Sequence, residues 1–210
     1  MEKIQESPAL YGEAALREAS RFFMKEGNVF KALEKISKRL EDLQIPYAIV
    51  GGMALTAHGH FRTTEDVDIL VTAESLKSIH EKLEGLGYVR PFSGSKNLKD
   101  VETNTKIEFL ITGGFPGDGK PKPVAFPDPA TCSIEIDGHK YIQLETLIEL
   151  KLSSGMTGGS ERGKDFSDVF ALVEKWNLRP EFATKLNPYV RDRFLGICSE
   201  VEAKKSKPEI

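Results

Sequence analysis

The segment that most constrains the fold spans residues 46–70. Residues 47–50 are an apolar run after a proline and predict a strand, which Gly51 and Gly52 end. Residues 53–58 then predict a short helix, and residues 67–71 predict a second strand. Because glycine has no side chain, a glycine pair at the end of a strand lets a ligand approach the backbone closely. This order of elements therefore predicts a unit of strand, glycine turn, helix and strand that is suited to binding.

Helices and strands alternate in the first part of the chain, and only helices follow. Apolar residues at helical spacing predict helices at 28–43, with Asn28 as the N-cap, and at 72–86. Apolar or alternating runs predict strands at 88–90, 98–102 and 106–111, and a hairpin at 134–142. Further helices are predicted at 144–154, 164–175, 180–186 and 188–203. We therefore predict an α+β fold, with an α/β core and N-terminal helices in 1–143 and a helical C-terminal part in 144–210.

The composition is that of a globular protein without a basic field. The 210 residues are 40% hydrophobic and 29% charged, which suits a sizeable core, and the net charge is -3. Such a balance offers no global positive field for nucleic acid. The two cysteines form no C-x-x-C motif, and the first residues lack the basic and apolar pattern of a secretory signal. The longest apolar run is too short to span a bilayer, so we expect a cytoplasmic location without membrane contact.

Two carboxylates, Asp66 and Asp68, are the strongest candidates for chemistry. Side chains alternate along a strand, so both acids point to one face while Val67 points to the core. Two adjacent acids repel each other unless a cation lies between them, and oxygen ligands suit Mg²⁺ or Mn²⁺. Glu108 has apolar neighbours in its own strand and is a candidate third ligand. An outward position on an edge strand is the alternative for Glu108, since surface strands often carry acids.

Residues near the two acids are candidates for phosphate binding. Backbone N–H groups at Gly51 and Gly52 are placed to meet a phosphate at the start of the predicted helix. Arg62 and Thr64 lie in the loop before the acidic strand, where they could contact phosphate oxygens or brace the loop. The nearby histidines, His58 and His60, lack the spacing of a metal motif, so we interpret them as packing residues.

Taken together, these residues resemble the nucleotidyltransferase superfamily with the palm of the DNA polymerase beta type. The order is a strand, Gly51-Gly52-x-Ala54, His58-Gly59 and Arg62-x-Thr64-x-Asp66-x-Asp68. Within the superfamily the chain is most similar to the bacterial abortive-infection toxin nucleotidyltransferases. A lysine helix around Lys151 and a Lys-Asp-x-x-Asp helix with Asp165 and Asp168 follow at the distance that group has. The resemblance covers about residues 46–175.

The resemblance implies a mixed β-sheet with packed helices, a helical C-terminal part and a site for a nucleoside triphosphate. It implies that Asp66, Asp68 and Glu108 hold the metal ions, one activating an acceptor hydroxyl and the other steadying pyrophosphate. Glu108 would take the acceptor's proton, and Lys151 would meet the triphosphate charge. Asp165 and Asp168 share a helix face by their spacing and would orient Lys151 or the acceptor. Without the resemblance, Lys151 would be interpreted as a solvated helix lysine, and Lys164-Asp165 as a charge pattern at the start of a helix.

Two departures from the superfamily pattern stand out. The Gly-Ser pair of many members is absent after Gly51, and the third acid is Glu where many relatives have Asp. The expected activity is transfer of a nucleoside monophosphate onto an RNA, protein or small-molecule hydroxyl. The alternatives are a nucleotide- and metal-binding module without turnover, a toxin–antitoxin component with an antitoxin-like partner, and a partner-binding protein whose site has decayed. The loop at 113–129, rich in Gly and Pro, receives no predicted role.

Overall fold

A computed structural model of the chain describes residues 27–206. Its strands are β1 (Ala48–Ile49), β2 (Asp66–Val71), β3 (Tyr88–Val89), β4 (Leu98–Asp100), β5 (Lys106–Ile111), β6 (Ser133–Ile136) and β7 (His139–Ile142). Its α-helices are α1 (Asn28–Asp42), α2 (Gly51–Ala57), α3 (Ala73–Leu83), α4 (Pro129–Cys132), α5 (Leu144–Thr157), α6 (Gly163–Trp176) and α7 (Pro188–Lys205). The helices predicted before residue 27 lie outside the described residues.

The strands form one mixed sheet with the order β3-β4-β5-β2-β1-β7-β6. The strand β2 pairs in parallel with β5 and antiparallel with β1, and β1 pairs in parallel with β7. The remaining pairs are antiparallel. A mixed sheet with packed helices, followed by a helical C-terminal part, confirms the predicted α+β class. Strand β2 occupies the middle of the sheet, where neighbours on both sides fix its position.

The alternation of β2 sorts its side chains between the core and a cavity. Val67 and Ile69 are fully buried, whereas Asp66 and Asp68 on the opposite face are half-buried. Helix α1 covers the core with the apolar residues that recur at helical spacing, among them Leu33, Ile36 and Leu40, all fully buried. Burial of the Val67 face therefore fixes the direction of both acids, since a slip of one residue would reverse every side chain.

Several helix ends and one helix type differ from the predictions, and α2 begins at Gly51 rather than at residue 53. Gly27, not Asn28, is the N-cap of α1. Helix α3 ends at Leu83 rather than near 86, because Glu84 is already extended and Gly85 has a positive φ of 83°. The segment Pro180–Lys185 is a 3₁₀-helix rather than an α-helix. These are local corrections that leave the order of elements unchanged.

The loop between β5 and α4 has a defined structure that the sequence did not predict. The Gly113 N–H donates to the Phe126 carbonyl and the Phe126 N–H donates to the Gly114 carbonyl, both at 2.8 Å, so the two ends of the loop are joined. Lys122 Nζ donates to the Thr157 hydroxyl of α5 at 2.8 Å and to the Pro116 carbonyl at 2.6 Å. The loop is therefore fastened to the helical C-terminal part.

One hydrophobic cluster includes side chains of the sheet, of α1 and of the C-terminal helices, from Val29 to Val201. The division into 1–143 and 144–210 stays a prediction. Across residues 27–206, no helix combines the length and the apolarity that crossing a bilayer requires.

Candidate active site

The parallel pairing of β2 and β5 brings the three predicted acids onto one face. Asp68 lies directly opposite Glu108 in the register, and Asp66 lies opposite Lys106. All three acids line a cavity of about 600 Å³. Because residues i and i+2 of a strand share a face, the register alone places the four charged side chains side by side. The sequence-predicted acids are therefore neighbours, and together they line one cavity.

The glycine pair Gly51-Gly52 begins the first turn of α2, and this turn packs against the acidic strand. Gly51 has a positive φ of 60°, and a Cβ atom there would lie 1.9 Å from Asp68 Oδ2. A Cβ atom on Gly52 would lie 2.8 Å from the Cβ of Thr64, whose hydroxyl donates to the Asp66 carbonyl at 3.2 Å. Any larger side chain at either glycine would collide with the residues that hold the acidic strand. The glycine pair is thus needed for the approach of this turn to the carboxylates.

Burial and repulsion from neighbouring acids raise the pKa values of the two acids on β2. Burial, with the charges of Glu108 and Asp66, raises the pKa of Asp68 to about 6, and Lys151 and Lys106 oppose this effect. Burial also raises the pKa of Asp66, with Glu108 and Glu65 adding to the shift and Lys106 opposing it. A strongly perturbed pair of carboxylates in a cavity is typical of a functional site.

Lys106 is a site residue that the sequence analysis missed. Its Nζ forms an ion pair with Glu108 Oε1, which the raised pKa of Lys106 reflects. A signal was available, because Lys106 lies two residues before Glu108 and must share its face. No group of three His, Cys, Asp or Glu side chains in residues 27–206 is arranged to hold a metal ion. Glu108 thus lines the cavity as predicted, but its carboxylate is engaged by a lysine.

A second charged cluster joins the helical part to the loop before β2. Lys151 Nζ on α5 donates to Asp165 Oδ1 and to Asp168 Oδ2 of α6, both at 2.7 Å. Arg62 Nη1 donates to both Asp168 oxygens at 3.0 and 3.1 Å, and His60 Nε2 lies 3.7 Å from Asp168 Oδ1. The spacing of the two aspartates predicted their shared face. Arg62 braces the loop against α6, which is one of its two predicted roles.

One carboxylate oxygen of Asp165 has no hydrogen-bond partner within residues 27–206. Both aspartates of the cluster are 2% exposed, and Asp165 Oδ2 is buried with no hydrogen-bond partner in the structure. Asp165 also lines the cavity together with Lys151. A buried carboxylate oxygen normally finds a donor, so Asp165 is an exception beside the cavity.

The remaining wall of the cavity was not predicted. Lys96, Asn97, Arg162 and Lys164 add polar groups to it, and the loop after β5 adds Phe115, Pro116, Gly117 and Phe126. Asn97 Oδ1 accepts from the Phe109 N–H at 3.0 Å, which orients its amide. His58 is a packing residue, as expected, because its buried Nε2 lies 2.8 Å from the Ile142 carbonyl. The cavity therefore combines acids, cations and an aromatic side.

The donor set fits a hard divalent cation at the two strand acids. Asp66 and Asp68 offer carboxylate oxygens at alternate positions on one face, and burial together with acidic neighbours raises the pKa of each. Mg²⁺ commonly takes one or two carboxylates and fills its other positions with water and phosphate. Asp66 and Asp68 are therefore the residues that would hold the ion, and Glu108 would join them only after leaving Lys106.

No protein-family model and no curated protein matches the chain. The antibiotic-resistance factor ANT(2'')-Ia in solution is 14% identical, with 82% of this chain and 94% of that chain covered and a TM-score of 0.47. ANT(2'')-Ia in complex with adenylyl-2''-tobramycin is 12% identical, with 84% and 98% covered and a TM-score of 0.40.

A third solved structure, an antigenic nucleotidyltransferase-like protein from Paracoccidioides brasiliensis, is 18% identical. The match covers 82% of this chain and 91% of that chain, with a TM-score of 0.48.

Proposed function

We propose that this chain is a metal-dependent nucleotidyltransferase, which moves a nucleoside monophosphate from a nucleoside triphosphate to a hydroxyl acceptor and releases pyrophosphate. The observation that carries the proposal is the register of β2 and β5, which gathers Asp66, Asp68 and Glu108 on the wall of one cavity. The Gly51 turn packs against Asp68 at the same place. The cavity brings together acids, a glycine turn and Lys151, which two aspartates hold in place. These are the groups that nucleotidyl transfer requires.

The residues of the chain divide the work between binding and proton transfer. Mg²⁺ or Mn²⁺ held by Asp66 and Asp68 would supply positive charge to the phosphates and lower the pKa of an acceptor hydroxyl. Glu108, once separated from Lys106, accepts the hydroxyl proton. The first N–H groups of the turn at Gly51 and Gly52 donate to phosphate oxygens, with Thr64 bracing that turn.

Lys151 binds the triphosphate in this proposal. Its ammonium lies at the cavity and is held in place by Asp165 and Asp168. Two aspartates fix the direction of the side chain, so the binding of phosphate costs little rotamer entropy. Arg62 acts through Asp168 as a positioning residue, because its guanidinium is already engaged there.

We leave the acceptor open among an RNA end, a protein side chain and a small molecule. The net charge of -3 disfavours a long RNA footprint. We also propose a cytoplasmic location, where triphosphates are available; the buried free thiols of Cys132 and Cys198 fit a reducing compartment.

The test is incubation of the protein with each labelled nucleoside triphosphate, Mg²⁺ and pooled acceptors, namely cell RNA, cell protein and aminoglycosides. The double variant Asp66→Asn/Asp68→Asn should lose both label transfer and metal-dependent nucleotide binding while it keeps its fold. Glu65→Gln is the matched control, since it removes the exposed acid next to Asp66 that does not line the cavity. Equal nucleotide binding by the double variant and wild type would show that the acids are not the site.

The second candidate is a nucleotide- and metal-binding module without turnover, with or without an antitoxin-like protein partner. The ion pair between Glu108 and Lys106 favours it, because the acid that would accept a proton is occupied. Saturable nucleotide binding without any pyrophosphate release, with every acceptor pool tested, would select this module over the enzyme.

A further inference from the structure

Lys106 is a cation among the acids of β2 and β5, and it is in direct contact with one of them, Glu108. Its register partner across the parallel pair is Asp66, and its Nζ contacts Glu108 Oε1. The hydrogen bond to Glu108, followed by the charges of Glu108, Asp66 and Asp68, raises the pKa of Lys106 against the opposing effect of burial. One ammonium therefore partly neutralises all three carboxylates at once.

The position of this ammonium conflicts with a metal ion at the same acids. An oxygen of Glu108 that accepts a hydrogen bond from Lys106 coordinates a divalent cation less strongly than a free carboxylate oxygen does. The two positive charges would also repel each other across a short distance in a partly buried cavity. Lys106 and Glu108 remain 41% and 36% exposed, so the pair has room to open.

We propose that Lys106 competes with the divalent cation for Glu108. This inference rests on the proposed metal site. In the metal-free protein Lys106 is the internal counter-ion that stabilises a cluster of like charges. When the cation binds, the Lys106–Glu108 pair opens and Glu108 becomes a ligand or a proton acceptor. Lys106 thus lowers the affinity for free metal and protects the fold when metal is absent.

The experiment measures bound Mn²⁺ directly, by electron paramagnetic resonance of the free ion during titration at constant pH and without nucleotide. Lys106→Met removes the ammonium and keeps the length of the side chain. It should bind Mn²⁺ about tenfold more tightly than wild type, the size of a typical coupling between two sites. Lys106→Arg, which keeps the charge and the donor, should bind Mn²⁺ as weakly as wild type. Lys106→Gln is a second neutral variant in case Lys106→Met does not fold.

Lys99→Met is the matched control. Lys99 on β4 lies directly opposite Lys106 in the antiparallel register and so shares its face. The Lys99→Met variant removes one positive charge from the same face. Within residues 27–206, Lys99 makes no contact with the acids. If direct pairing matters, Lys99→Met should leave Mn²⁺ affinity near the wild-type value. An equal increase of Mn²⁺ affinity in Lys99→Met and Lys106→Met would mean that the effect depends on total charge and not on direct pairing. That result would overturn the proposal.

Thermal unfolding supplies a second readout. Without metal, Lys106→Met should unfold at a lower temperature than wild type, because the acids lose their counter-ion. Saturating Mn²⁺ should raise the Tm of Lys106→Met by more than it raises that of wild type. If wild type binds Mn²⁺ and Lys106→Met binds it no more tightly, the proposed competition is overturned, whereas the metal site stands. Absence of Mn²⁺ binding by wild type and by all variants would overturn the metal site and the proposed function with it.

Discussion

At the scale of single residues, the protonation of Asp68 sets the pH at which the site can bind metal. A protonated carboxyl is a poor ligand, and the pKa of Asp68 is raised to about 6 by burial and by its acidic neighbours. We expect Mn²⁺ affinity to be constant above pH 7 and to fall by about tenfold for each pH unit well below pH 6. Calorimetric titration between pH 5 and pH 8 measures this profile. Affinity that stays flat to pH 5 would contradict the environment described for Asp68.

The same residue should lower the stability of the metal-free protein at neutral pH. The folded pKa of about 6 exceeds the ordinary value of 3.8, so between these values the folded state binds more protons than the unfolded state. The free energy of unfolding therefore decreases as the pH rises through this window. Asp68→Asn removes the charge, and we expect it to stabilise the protein by about 2 kcal/mol at pH 7.5 and by little at pH 4.

Urea unfolding at the two pH values tests this expectation, with Glu65→Gln as the control for loss of a nearby exposed acid. Saturating Mn²⁺ should reverse the order, since it stabilises wild type and not Asp68→Asn. A variant that is less stable than wild type at pH 7.5 without metal would show that Asp68 has a structural partner.

Much of this site could be predicted from alternation along two strands. The shared face of Asp66 and Asp68 follows from the two-residue period of one strand, and the shared face of Asp165 and Asp168 follows from their helical spacing. The register that makes these acids neighbours could not be predicted, because it is set by packing across the sheet. The contact of Arg62 with Asp168 joins residues 106 positions apart, beyond any local pattern.

At the scale of elements, Asp168 is the point where α5, α6 and the loop before β2 meet. It accepts hydrogen bonds from Lys151 and Arg62 while it is almost fully buried. We expect Asp168→Ala to lower the free energy of unfolding by about 3 kcal/mol, because it leaves two cations without their shared acid. Glu174→Ala is the matched control on the same helix. Its ion pair with Lys204 is also 2.7 Å long but largely exposed, so its loss should cost about 0.5 kcal/mol.

Chemical denaturation of both variants measures the difference. Equal losses for Asp168→Ala and Glu174→Ala would mean that the buried cluster adds no more than a surface pair. Nucleotide binding should fall with Asp168→Ala and remain with Glu174→Ala, since Asp168 helps to hold Lys151 at the cavity and Glu174 does not contact Lys151.

The elements themselves were largely predictable, and their exceptions have physical causes. The hairpin turn at Asp137-Gly138 has positive φ angles of 49° and 79°, as its sequence signature requires. The defined structure of the loop after β5 was missed, because its stabilising contacts are made with Thr157 on a distant helix. A loop rich in Gly and Pro carries no local signal for such a contact.

At the scale of the whole molecule, the cavity draws its walls from both sides of residue 143. Asp66 and Asp68 come from the sheet, and Lys151 and Asp165 come from the C-terminal helices. A single hydrophobic cluster continues across the same boundary. Ligand binding should therefore stabilise both parts together rather than the sheet alone.

Hydrogen exchange with and without saturating Mn²⁺ and nucleoside triphosphate tests this coupling. At a ligand concentration of about 100 times Kd, the folded state gains about 2.7 kcal/mol. Amides that exchange only through global unfolding should then slow by about 100-fold, in β2 and β5 and equally in α5 and α6. The double variant Asp66→Asn/Asp68→Asn should show no slowing anywhere. Protection confined to the sheet would instead mean that residues 144–206 open independently, and that the cavity closes around its ligand from one side only.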